Sequence, residues 1–63
     1  MQDETSYLTV KDIARRMQVG EQAVRRWIKS GALPAIDIMG QYRIDPKDFE
    51  EFVRTHRKQS PRD

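Results

Sequence analysis

Glu21-Gln22-Ala23-Val24-Arg25-Arg26-Trp27-Ile28-Lys29-Ser30-Gly31 is the stretch that decides how this chain folds. Val24, Trp27 and Ile28 recur at helical spacing, with Ala23 beside them, and form one apolar stripe. Gln22, Arg25, Arg26 and Lys29 recur at i, i+3, i+4 and i+7 and fall outside it. The stretch reads as a helix over 21–30 with one face in a core and a mostly cationic face in water. Gly20 is a serviceable N-cap, and Glu21 in the first turn suits the helix dipole. Gly31 suits the left-handed residue that closes a helix, and Pro34 prevents a restart.

Upstream, Thr9-Val10-Lys11-Asp12 is a variant capping box, with a hydroxyl to accept an orphan amide and an acid three residues on. Val10, Ile13, Ala14 and Met17 make the apolar face of a first helix, and Leu8 can staple back onto it. Gln18-Val19-Gly20 is then a tight turn between two helices, which sets the second at a steep angle to the first.

Downstream, Ile36-Asp37-Ile38 and Tyr42-Arg43-Ile44 alternate as half-buried strands do. A Gly40-Gln41 turn would put Ile38 and Arg43 on one face. A three-residue loop, Met39-Gly40-Gln41, pairs Ile38 with Tyr42 and Ile36 with Ile44, so all four apolar groups share a side. That register sets Asp37 opposite Arg43 and is the expected one. Asp45-Pro46 reads as N-cap and N1 of a third helix, with Asp48 completing a second capping box. Phe49, Phe52 and Val53 form its apolar face, extended by His56. The expected fold is mostly α with a small β-hairpin: a winged helix-turn-helix over 7–57, with loose ends at 1–6 and 58–63.

Composition narrows the function. Sixty-three residues allow one domain with a thin core, and no cysteine is present to bridge it or to bind zinc as thiolate. No apolar stretch approaches the roughly 20 residues that span a bilayer. The start, Met1-Gln2-Asp3-Glu4, is acidic with no apolar run behind it, unlike a secretory signal. A cytoplasmic, nucleoid-associated protein is expected. The net charge is only +2, but between Ile13 and Arg43 six bases face two acids, while acids gather at both flanks. Such a chain can draw a polyanion to one face. There is no Gly-rich phosphate loop, nucleophile–base pair or metal cluster, and Glu50 and Glu51 are adjacent, so they point apart on a helix. Neither catalysis nor a cofactor is expected.

Gln22, Arg25, Arg26 and Lys29 can donate to base edges and phosphates in a major groove, and Gly40, Gln41 and Arg43 on the wing can follow the backbone. Arg16, on the first helix, is a further candidate backbone contact. An Asp37–Arg43 pair across the hairpin competes for Arg43. Trp27 could stack on single strands, but its place in the apolar stripe favours the core. His56 lacks partner ligands for a metal. Met39 is open between a loop residue, a minor-groove wedge and a protein contact.

Tyr7-Leu8-Thr9-Val10-Lys11-Asp12-Ile13-Ala14, Val19-Gly20, Ala23 to Ala35, Gly40 to Ile44 and Asp48 to Phe52 together resemble the excisionase-type helix-turn-helix family, which is related to the DNA-binding domain of the MerR regulators. The resemblance covers nearly all of Leu8 to Val53. It implies a winged-helix fold and double-stranded DNA as partner. Members include excisionases, which bend DNA and steer a recombinase (an integrase) toward excision, and small transcription regulators. Two departures stand out. The family often opens the second helix with serine, where this chain has Gly20 followed by Glu21-Gln22. A MerR regulator continues into a dimerisation helix and an effector domain, so no metal or drug sensing is expected. The expectation is a sequence-specific DNA binder of the excisionase kind, self-associating head to tail on DNA. A transcription regulator is the alternative, and a protein-interaction module the alternative of another class.

Overall fold

The computed structural model describes residues 6–58. The element order is α1 (Val10–Met17), α2 (Glu21–Lys29), β1 (Ile36–Ile38), β2 (Gln41–Arg43) and α3 (Pro46–His56). This is a winged helix-turn-helix, as expected. The loose ends expected at 1–6 and 58–63 lie, apart from Ser6 and Lys58, outside the described residues.

Local chemistry sets the helix starts. Thr9 Oγ1 accepts from the Asp12 amide at 3.1 Å, and the Thr9 amide donates to Asp12 Oδ2 at 3.0 Å, so the capping box is complete. Asp45 Oδ1 accepts from the Lys47 amide at 2.8 Å, with Pro46 at N1. The reciprocal contact expected of Asp48 is not formed. Its place in sequence fits a box, but Asp45 spends its oxygen one residue earlier, on Lys47. Gly20 caps α2 with no side-chain bond.

Both helices of the motif close in the same way. At the end of α1, the Val19 amide donates to the Ala14 carbonyl at 3.0 Å and the Gln18 amide to Arg15 at 3.3 Å, with Gln18 left-handed at φ 58°. At the end of α2, Ala32 donates to Trp27 at 2.9 Å and Gly31 to Ile28 at 3.1 Å, with Gly31 at φ 88°. Each is a Schellman closure, which satisfies carbonyls that a helix end would otherwise leave open. The turn between α1 and α2 therefore pivots on Gln18, while Gly20 has an ordinary extended backbone.

The wing corrects the expected register. β1 and β2 pair antiparallel with Ile36 opposite Arg43, Asp37 opposite Tyr42 and Ile38 opposite Gln41. The loop is two residues, Met39-Gly40, not three. Both have positive φ, 53° and 90°, the mark of a type I′ turn. Such a turn matches the right-handed twist of the strands it joins. Ile36 and Ile38 consequently lie outside, 47% and 52% exposed. The physical reason is that the wing is too small to bury a whole face. The core takes Ile44 fully and Tyr42 partly, and among the described residues neither isoleucine of β1 belongs to the core. Ile44 is fixed by a bridge to Leu8, two backbone hydrogen bonds of 2.8 Å each.

The core joins every helix to the base of the wing. Ile13, Val24, Leu33 and Ile44 are fully buried, and Leu8, Val10, Phe49 and Phe52 surround them. Trp27 packs its ring 4.9 Å from Phe52, which settles it as a core residue at the edge of the cluster. The His56 ring centroid lies 4.3 Å from that of Phe52, and its Nδ1 is 2.8 Å from the Phe52 carbonyl. No helix among the described residues is long and apolar enough to cross a membrane.

Candidate nucleic-acid interface

With Val24 buried and Trp27 and Ile28 packed on the core, α2 turns its remaining face outward. Gln22, Arg25, Arg26 and Lys29 line a single open cleft of about 320 Å³ on that face. These four side chains, expected together from helical spacing, are together in space. Their donors can address base edges and phosphates, while the buried stripe fixes the helix that carries them. Arg25 Nη2 is held 3.3 Å from Glu21 Oε1, an exposed i, i+4 pair. Pairs of this kind contribute only about 0.3–0.5 kcal/mol and yield to a competing anion.

A second cleft of about 190 Å³ opens where α2 meets the wing. Gly40, Gln41 and Arg43 line it from the wing and Arg25 from α2, so Arg25 borders both clefts. The expected Asp37–Arg43 pair does not form. Asp37 Oδ1 instead accepts from the Gly40 amide at 2.9 Å, because the register places Asp37 opposite Tyr42. Arg43 donates through Nη1 to the Tyr42 carbonyl at 3.0 Å and through Nη2 to Gln41 Oε1 at 3.3 Å. Among the described residues no carboxylate pairs with it. Its guanidinium is steadied by neutral groups, so its charge is not cancelled at contact distance.

Arg16 is not brought to either cleft. It lies instead in a groove of about 580 Å³ against α3 with Phe49, Val53, Arg54 and Arg57. Conversely, Lys11 lines the cleft between α2 and the wing and was no part of the expected site. Its position in sequence, one residue inside the first helix, carries no sign of this. The bridge between Leu8 and Ile44 brings the start of α1 beside β2. One ionisable group stands out nearby. The Thr9 backbone amide, and after it the Thr9 hydroxyl contact, holds the Asp12 carboxyl below its ordinary 3.8. Asp12 is thus a structural acid that locks the start of α1.

Three helices with a helix-turn-helix and a two-stranded wing, exposing a cationic second helix, define a class of nucleic-acid-binding domain. The family described as "Helix-turn-helix domain" matches residues 7–57, and the chain belongs to it. It is a family of DNA-binding domains. Two relatives are similar over most of this chain. YvgK of Bacillus subtilis is 32% identical over 59 residues, which cover 94% of this chain but only 19% of YvgK. Rv0500A of Mycobacterium tuberculosis H37Rv, named "Putative DNA-binding protein", is 32% identical over 54 residues, covering 86% of this chain and 69% of that protein. No solved structure matches this chain.

Proposed function

We propose that this chain binds double-stranded DNA sequence-specifically, with α2 in the major groove and the wing on the flanking backbone. The observation that carries the reading is the shared cleft of Gln22, Arg25, Arg26 and Lys29 on the exposed face of α2. The family, and the DNA-binding name of the mycobacterial relatives, support it. Its role is that of an excisionase-type factor. A nine-residue helix reads only a short site, so useful affinity comes from several copies arranged head to tail, each bending the DNA, beside a recombinase. The excisionase-type resemblance supports this role; the same family includes small transcription regulators, which are the alternative.

Titration into random and selected duplexes between low and moderate salt tests the binding. Three to six phosphate contacts give a log–log slope of about −3 to −5. No binding at low salt would sink the reading and leave a protein-interaction module. The role is tested separately. Purified integrase and a circle-forming substrate should excise faster with this protein present, whereas repression of a promoter without any effect on excision would make it a regulator.

A further inference from the structure

We infer that the cleft between α1, α2 and the wing seats one phosphodiester of the DNA strand, and that Lys11 is the residue that anchors it. The inference rests on the DNA reading above and adds to it a place and a residue.

Three cations from three separate elements line this cleft: Lys11 of α1, Arg25 of α2 and Arg43 of β2. Gln41 and Gly40 stand between them on the wing. Lys11 is exposed, and Arg43 is steadied by the Tyr42 carbonyl and Gln41. With α2 in the major groove and the wing on the far side of the backbone, the strand that separates two grooves must pass between these elements. The group arriving in the cleft is then a phosphate rather than a base edge. Lysine serves as a point charge for such a group, and arginine as a directed pair of donors.

The beginning of α2 is a poor alternative anchor. Gly20 offers no hydroxyl, and Glu21 puts a carboxylate on the first residue of the helix. Glu21 lines the same cleft and holds Arg25 at 3.3 Å, so it opposes the three cations and occupies one of them. The anchoring charge is therefore supplied one helix earlier, by Lys11, and Glu21 moderates the strength of the seat.

The test uses the full chain and a duplex recovered by selection. Lys11→Gln keeps a good helix former at an exposed position, and circular dichroism verifies that it folds. It should weaken all duplexes several-fold alike and make the salt slope shallower by about 0.9, the loss of one phosphate contact. A neutral methylphosphonate moved along the duplex should weaken the unaltered protein at one position and have little further effect on Lys11→Gln there. Glu21→Gln should tighten binding. An unchanged slope in Lys11→Gln, or no methylphosphonate position that couples to it, would overturn the seat while leaving DNA binding intact. Weaker binding by Glu21→Gln would place that acid on a base and overturn the assignment. Absence of any duplex binding by the unaltered protein would overturn both readings.

Discussion

Asp37 closes the wing by accepting the Gly40 amide at 2.9 Å, and Arg43, on the other strand, forms no ion pair among the described residues. The same turn places Ile36 and Ile38 on the outer face with Arg43 and Gln41. One choice of loop length thus decides two things: which wing residues are exposed, and whether the wing's arginine keeps its charge for another anion. Loop length and side-chain face are coupled because side chains alternate with a period of two.

This register makes a direct prediction. Ile38→Thr keeps a β-branched residue at a half-exposed site, so stability should change by no more than about 0.5 kcal/mol. In the one-residue-shifted register the same change would bury a hydroxyl in the core at a cost of about 1–3 kcal/mol. Urea denaturation of the two proteins checks it, and a loss in the larger range would restore the three-residue loop.

The turn itself carries a second prediction. Met39 is 97% exposed and sits at φ 53°, a region that costs an ordinary residue roughly 1–2 kcal/mol and asparagine less. Met39→Asn creates the Asn-Gly pair that type I′ turns favour. It should raise the melting temperature by a few degrees, read by circular dichroism. A fall would mean that the methionine side chain makes a contact the wing depends on.

The parts of the fold legible in the sequence are those set by neighbouring residues. Thr9 with Asp12, and Asp45 with Pro46, mark helix starts because the capping groups lie within a turn of the amides they serve. The cationic face of α2 is legible because helical spacing alone puts Gln22, Arg25, Arg26 and Lys29 together. The closure at Gln18 is not, since a left-handed residue is expected to be glycine and Gly20 stands two positions away. Nor is the place of Lys11 or Arg16. The Leu8–Ile44 bridge and the groove that Arg16 shares with α3 decide those, and both join residues far apart in the chain.

Acid should loosen the start of α1. The folded Asp12 carboxyl titrates below its ordinary 3.8, mainly through the Thr9 amide and then the Thr9 hydroxyl. A depressed carboxylate contributes stability that is fully present above the unfolded value and lost as pH falls through the folded one. Asp12→Ala should therefore be less stable than the unaltered protein at pH 6, and the gap should close as pH falls below the ordinary carboxylate range. A gap that stays constant into acid would mean that the charge of Asp12 has no part in the cap. Carbon-detected titration of the Asp12 carboxyl by NMR reads the same shift directly.

Arg25 and Arg43 should part company when each is cut back to alanine. Arg25 sits on α2 between the two clefts, where its fork can reach a base edge, and a good bidentate contact discriminates by about 1–3 kcal/mol. Arg25→Ala should lose affinity mainly for the selected duplex and approach its affinity for random DNA. Arg43 is bound to the wing backbone, and under the proposed docking it meets the strand between the grooves, so Arg43→Ala should weaken selected and random duplexes by the same factor and flatten the salt slope by about 0.9. Anisotropy titrations of both variants on both duplexes, at two salt concentrations, separate the effects. Equal losses on every sequence from both variants would mean that α2 grips the backbone and that base reading lies elsewhere, with Gln22 and Arg26 the next residues to cut back.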